Sequence, residues 1–292
     1  MLLHKLHIED HKLAALALNP DADGEPIILL HGINLSPSFW RTDDLFTRHG
    51  PCHALTLPGH FPGAFPPNMP ESALDAASIA RLLAATIRQL VGDRPVTVAG
   101  ISTGGFAALA LAAHEPQLVR RVVSISGFAE GGWTGMLGTY QAWLRDTPPH
   151  YRRFRILWQL SHLSQGFFRR FVWPTLVADR ATFNRYPQLS TLISHIYADW
   201  VHQDMDMVAM YYRRMPDISI ADMLPSIRAQ TLVLAGDSDP TVPPEQSRLI
   251  ARLVPGAELA MLEGAGHLLF AERPHMYDTI IEGWLQRTRD NS

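Results

Sequence analysis

At both ends of this 292-residue chain, short aliphatic runs alternate with helical patterns, and in the middle the alternation stops. That arrangement constrains the fold more than any other feature. Consecutive parallel strands need a crossover of about a dozen residues or more, usually a helix. The resulting sheet is covered on both faces, so its strands read as continuous apolar runs. Pro26-Ile-Ile-Leu-Leu30 is such a run. The pattern predicts strands at 13–18, 26–30, 52–57, 95–99 and 121–126. It predicts helices at 71–91, ending on the cap residue Gly92, and at 104–114. From Phe128 to about Leu224 only helical segments are legible, separated by Pro148, Pro149, Pro174, Pro187 and Pro216. Alternation resumes with Thr231–Ala235, Pro244–Leu253, Glu258–Leu262 and Pro274–Arg287. The expected architecture is α/β, with a mostly parallel central sheet and helices on both faces. Residues 1–127 and 225–292 build the core, and 128–224 form a helical cap inserted after one strand.

Composition narrows the class. A hydrophobic content of 47% is ample for a core and excludes wholesale disorder. A net charge of −3 argues against a nucleic-acid binder. Cys52 is the single cysteine, so no intramolecular disulfide can form. The start, Met1-Leu-Leu-His-Lys-Leu-His-Ile-Glu-Asp10, lacks the uninterrupted apolar core of a signal peptide. No stretch approaches the roughly 18 uncharged apolar residues of a membrane helix. The expectation is a cytoplasmic protein without a membrane anchor.

The chemistry concentrates in four loops. Gly100-Ile101-Ser102-Thr103-Gly104 lies directly after a strand and directly before a helix, the context in which Gly-x-Ser-x-Gly forms a nucleophile elbow. Small residues let the sharp turn close, and the serine oxygen is raised at a helix N-terminus that favours a developing anion. A serine hydroxyl needs a base. In the chain order nucleophile, acid, base, that base is His267 in Glu263-Gly-Ala-Gly-His267. The acid lies in Ala235-Gly-Asp-Ser-Asp-Pro-Thr-Val-Pro243, where Asp239 is the preferred candidate and Asp237 the alternative. Backbone N–H groups of Thr103, next to the serine, and of Ile33, in His31-Gly32-Ile33-Asn34, are the candidate oxyanion donors. His31 reads as a loop brace rather than a base.

These motifs resemble those of the α/β-hydrolase superfamily across nearly the whole chain. The matching residues are His31-Gly32, Pro58-Gly59-His60, the Gly100–Gly104 elbow, Gly236 with Asp239 and Pro243, and Gly266-His267. The resemblance implies an α/β-hydrolase fold with a helical cap and favours Asp239 over Asp237. It implies a serine hydrolase cleaving a carboxylic ester, thioester or lactone through an acyl-enzyme, with no metal or organic cofactor. Serine at the elbow argues against the dehalogenases and epoxide hydrolases of the superfamily, which carry aspartate there. Carbon–carbon bond hydrolases, cofactor-free haloperoxidases and lyases use a similar constellation, and a non-catalytic ligand receptor is the alternative from another class. The chain departs from the common pattern at Leu57, where relatives often have aspartate, in the proline-rich His60–Pro67, and at Thr103.

Seventeen of the 26 aromatic residues fall between Phe128 and Asp222. Ligand clefts are lined mainly by apolar and aromatic side chains. Trp133, Tyr140, Trp143 and Trp158 are therefore candidate substrate contacts for an apolar acyl or aromatic group. All but two of the 25 Lys and Arg residues are arginine, the exceptions being Lys5 and Lys12. Arg152, Arg153, Arg155, Arg169, Arg170, Arg213 and Arg214 lie in the cap. Solvated helix faces account for such residues. The sharper reading is an anionic partner, an acyl carrier protein or a coenzyme A thioester, because guanidinium pairs well with phosphate.

Overall fold

The computed structural model describes residues 1–145 and 148–290. Eight strands form one sheet: β1 (Leu2–Ile8), β2 (His11–Ala17), β3 (Ile27–Leu30), β4 (Cys52–Leu55), β5 (Val96–Ile101), β6 (Val119–Ile125), β7 (Gln230–Gly236) and β8 (Glu258–Leu262). Their order across the sheet is β1-β2-β4-β3-β5-β6-β7-β8. Every pairing from β4 to β8 is parallel, and β1 and β2 are antiparallel additions at one edge.

β1 is not legible in the periodicity of the sequence. It is an edge strand with exposed Leu2, Leu3 and Lys5, so its apolar alternation is weak. Its turn is clearer. Ile8 pairs with His11, which leaves Glu9 and Asp10 as a two-residue loop with φ of 48° and 66°. Positive φ at both positions matches the twist that a tight hairpin needs.

Helix α1 (Ala76–Val91) starts five residues later than the spacing predicts. Asp75 accepts a bond from the Ser78 N–H while the Ser78 hydroxyl accepts from the Asp75 N–H, a capping box that fixes the start. Glu71–Ala73 form a separate 3-10 turn. Helix α2 (Thr103–His114) buries all of its first ten residues, as an apolar helix does when it is wedged inside a domain. With α9 (Pro244–Leu253) these helices pack on one face of the sheet. The other face is covered by the apolar side of α11 (Pro274–Asp290), which follows the short α10 (Leu269–Glu272).

Between β6 and β7 run α3 (Gly135–Arg145), α4 (Pro148–Ser161), α5 (Gln165–Phe171), α6 (Arg180–Arg185), α7 (Leu189–Trp200) and α8 (Met205–Arg214). Buried polar contacts tie them to the loops of the sheet. Tyr211 donates to the Pro58 carbonyl at 2.8 Å, and the Gln203 amide donates to the Leu35 carbonyl at 2.7 Å. No helix among the described residues is long and apolar enough to cross a membrane.

Candidate active site

The register of the sheet assembles the site. Leu30 lies opposite Gly100, Ile101 opposite Ile125, Ile125 opposite Leu234, and Gly236 opposite Leu262. The C-terminal ends of β3, β5, β7 and β8 are therefore level, and their loops meet above one edge of the sheet, where open α/β folds place ligands. Those loops carry Ile33, Ser102, Asp239 and His267.

Ser102 sits between β5 and α2 with φ 57° and ψ −119°. Positive φ is strained for a residue with a Cβ and persists only where the surroundings enforce it. Here the Ser102 N–H is held by the Ile125 carbonyl at 2.8 Å, and its carbonyl accepts the first α2 bond, from the Phe106 N–H at 3.0 Å. A Cβ at Gly100 would overlap the Gly104 carbonyl, and one at Gly104 would overlap the Leu30 carbonyl. The elbow thus tolerates no side chain at either glycine. Thr103 is the first residue of α2, so its N–H has no acceptor within the helix. The loop after β3 lies close by: a Cβ on Gly32 would stand 3.3 Å from the Ser102 Cβ.

Asp239 and His267 meet. Nδ1 of His267 is 2.7 Å from Oδ2 of Asp239, in a setting where the side chains are only 4% and 2% exposed. The other carboxylate oxygen accepts the N–H groups of Thr241 at 2.7 Å and Val242 at 3.0 Å. Asp237 is engaged elsewhere, accepting from the Ser238 hydroxyl and the Gly264 N–H. The His267 main chain is fixed too, its N–H donating to the Leu176 carbonyl at 2.9 Å and its carbonyl accepting from Ser126 Oγ at 3.0 Å.

His31 is fully buried, with Nε2 accepting from the Leu57 N–H at 3.1 Å and Nδ1 against the Gly32 carbonyl at 2.8 Å. Burial, with the neighbouring His60 imidazole, holds its pKa well below the ordinary value, so it stays neutral. Burial likewise pushes His60 down to about 4. Both rings brace the loop beneath the site and neither is poised to exchange a proton near neutral pH.

Ser102 and His267 open onto one cavity, walled by Met136, Leu137, Tyr140, Phe154, Leu157, Trp158, Phe168, Phe171, Trp173 and Trp200 among others. Among the described residues, no Asp, Glu, Lys or Arg side chain lines it. Of the four candidate contacts, Tyr140 and Trp158 line this cavity, and Trp133 and Trp143 do not. Trp133 points into the core against Phe128 and Tyr212. Trp143 packs on Tyr140 and, partly buried, against the same core. Helical spacing alone does not say which face of α3 turns to the cavity. Phe168, Trp173 and Trp200 come from three separate elements, and nothing in their spacing marks them as neighbours.

Glu272 lies outside every motif in the sequence. Its side chain is fully buried and its carboxylate accepts the N–H groups of Gly266 and Leu268, on either side of His267. The available signal is a lone acid closing the apolar run Leu268-Leu-Phe-Ala271.

Residues 27–277 match the model of the alpha/beta hydrolase family. The chain belongs to that family. It is 27% identical over 267 residues to the sn-1-specific diacylglycerol lipase ABHD11 of Xenopus tropicalis, covering 87% of this chain and 76% of the relative. It is also 27% identical over 285 residues to the pimeloyl-[acyl-carrier protein] methyl ester esterase of Neisseria meningitidis serogroup B, covering 91% and 96%. Among solved structures, an enol-lactonase from Burkholderia xenovorans superposes with a TM-score of 0.75 at 17% identity, covering 97% of this chain and all of that one. A thermophilic esterase from Thermogutta terrifontis gives 0.71 at 22% identity, covering 99% of each chain. Membership of the family makes the protein an alpha/beta hydrolase.

Proposed function

We propose that this hydrolase cleaves uncharged carboxylic esters, thioesters or lactones with an apolar or aromatic acyl group, through an acyl-enzyme on Ser102. The observation that carries the reading is the cavity: a serine and a carboxylate-held histidine face a wall of aromatic and aliphatic side chains that, among the described residues, holds no Asp, Glu, Lys or Arg. An acyl chain entering it leaves water at about 25 cal/mol per Å2 of apolar surface. A carboxylate there would lose its hydration without a partner.

The proposed steps use these groups in turn. Ser102 Oγ attacks the carbonyl carbon, and His267 Nε2 takes its proton. Asp239 keeps the imidazole in the tautomer with the proton on Nδ1 and stabilises the imidazolium. The N–H groups of Ile33 and Thr103 receive the oxyanion. Collapse breaks the bond to the leaving group, which departs with the proton from His267. Water then gives a proton to His267 as it attacks the acyl-enzyme, the bond from the acyl carbon to Ser102 Oγ breaks, and His267 returns the proton to Oγ as the acid leaves. In this reading, residues 128–224 act as the cap that selects the acyl group.

A chromogenic p-nitrophenyl ester series of rising acyl length, run on wild type and Ser102→Ala, tests the proposal. Activity should appear in wild type and vanish in the variant. Silence of wild type on every ester, or an undiminished variant, rejects it. Fluorophosphonate labelling of Ser102 should disappear in His267→Ala. Labelling without ester turnover would redirect the assignment to carbon–carbon bond cleavage, and the absence of both to a ligand receptor.

A further inference from the structure

Glu272 is the unusual charge of this molecule. It is 0% exposed, and a buried carboxylate is costly unless its lone pairs are satisfied. Among the described residues no Lys or Arg forms an ion pair with it, and the adjacent Arg273 guanidinium turns to Asp179 at 2.9 Å. Backbone N–H groups surround it instead. Oε2 accepts from Ala178 at 2.8 Å, Asp179 at 2.8 Å and Gly266 at 3.0 Å, and Oε1 accepts from Leu268 at 3.3 Å. Only an ionised carboxylate offers acceptors on both oxygens and no donor to collide with those N–H groups.

The four donors come from two places. Gly266 and Leu268 flank His267. Ala178 and Asp179 end the segment whose Trp173, Thr175 and Leu176 line the cavity. A second tie runs beside the first, from the His267 N–H to the Leu176 carbonyl at 2.9 Å. The two segments are also in close contact, because a Cβ on Gly266 would lie 2.5 Å from the Ala178 nitrogen and 2.9 Å from Glu272 Oε1.

We infer that Glu272 is a positioning residue that makes the cavity wall 173–179 and the His267 loop one rigid unit, so that the imidazole is aimed by the same segment that holds the acyl group. This rests on the acyl-enzyme reading for its kinetic consequences. Glu272 touches neither substrate nor the reacting atoms. It acts through the backbone on both sides of His267. A misdirected imidazole affects proton transfer more than binding.

The test is Glu272→Gln, which keeps the shape and replaces one acceptor by a donor. With p-nitrophenyl acetate and p-nitrophenyl octanoate, kcat should fall about 100-fold with KM within about threefold of wild type. Glu272→Asp, which keeps the charge, should recover part of the loss. A kcat within threefold of wild type in a folded Glu272→Gln protein, or a loss carried by KM, overturns the inference. Should the variants not fold, hydrogen exchange of wild type decides. The amides of Ala178, Asp179, Gly266 and Leu268 should open together, with one dependence on denaturant. Separate openings overturn it. Because the exchange readout needs no substrate, it stands even if wild type proves inactive on esters, which would count against the proposed function alone.

Discussion

Asp239 divides its carboxylate between two tasks: Oδ2 holds His267 Nδ1 at 2.7 Å, and Oδ1 accepts the N–H groups of Thr241 and Val242. The loop bonds fix the acid before it fixes the base, so the imidazole inherits its orientation from the turn after β7. Asp239→Asn keeps the volume but lets the amide face the imidazole as a donor, favouring the wrong tautomer. Ester hydrolysis should fall by about 10,000-fold, as in the serine-protease precedent, with the thermal melt little changed. Steady-state kinetics and a calorimetric scan check it, and a loss under tenfold rejects the role of Asp239.

Trp158 lines the cavity and packs against Trp200, ring centroids 5.0 Å apart and planes tilted by 30°. Trp158→Ala removes apolar wall and should lower kcat/KM for an octanoate ester about 10- to 100-fold, equivalent to roughly 1–3 kcal/mol. The acetate ester should stay within about threefold. Equal losses for both esters would mean that the ring supports the fold and not the acyl chain.

Gly104 has no room for a methyl group, since the carbonyls of Leu30 and His31 both crowd the position. Gly104→Ala should cost at least about 3 kcal/mol, in the range of severe overpacking. Urea unfolding measures it. A midpoint close to that of wild type would show that the elbow can relax.

Asp43 carries a pH signature distinct from catalysis. Burial, with Asp278 and Asp44 nearby, pushes its carboxyl up to about 7, against the pull of the Leu45 N–H. The hydroxyl of Tyr277 faces it as well. Between about pH 4 and 7 the folded protein then holds a proton that the unfolded chain has released, so this group makes stability fall as pH rises through that window. Asp43→Asn should flatten the fall. Urea midpoints at pH 5 and pH 8 for both proteins test it, and parallel pH slopes reject it.

Arg152, Arg153 and Arg155 remain exposed on α4, the helix that sends Phe154, Leu157 and Trp158 to the cavity. We propose that a phosphate-bearing acyl carrier would pair with these guanidinium groups. Reversing the three charges should reduce turnover of an acyl carrier protein or coenzyme A substrate at least tenfold at low salt and spare a free ester. An equal effect on both substrates excludes a carrier role.

The parallel sheet and the four loops were legible because each rests on local chemistry. Continuous apolar runs mark strands covered on both faces, and glycines mark the elbow, where no other residue fits. Asp239 was separable from Asp237 only through its distance from Gly236 in a known pattern, since both are equally polar loop residues. The cavity wall was less accessible. Trp133 and Tyr140 lie on neighbouring stretches of chain, yet Trp133, just before α3, packs on Phe128 and Tyr212 while Tyr140, within α3, lines the cavity, a division set by tertiary packing and not by spacing. Glu272 was hidden for a related reason: its partners are main-chain N–H groups, which leave no trace in side-chain chemistry.

The helices between β6 and β7 are anchored away from their point of insertion, on the loop after β3. Asn34 donates to the Tyr212 hydroxyl at 2.7 Å, the Gln203 amide holds the Leu35 carbonyl, and Ser36 donates to Asp199 at 2.6 Å. The segment that supplies Ile33 is therefore shaped by residues some 160 to 180 positions later in the chain. On the proposed reading, a graft of residues 128–224 from a homologue should disturb the loop after β3 unless residues 34–36 travel with it. On the proposed reading, acyl selectivity and oxyanion geometry would be inherited together, through two distant stretches of the gene that these three hydrogen bonds join.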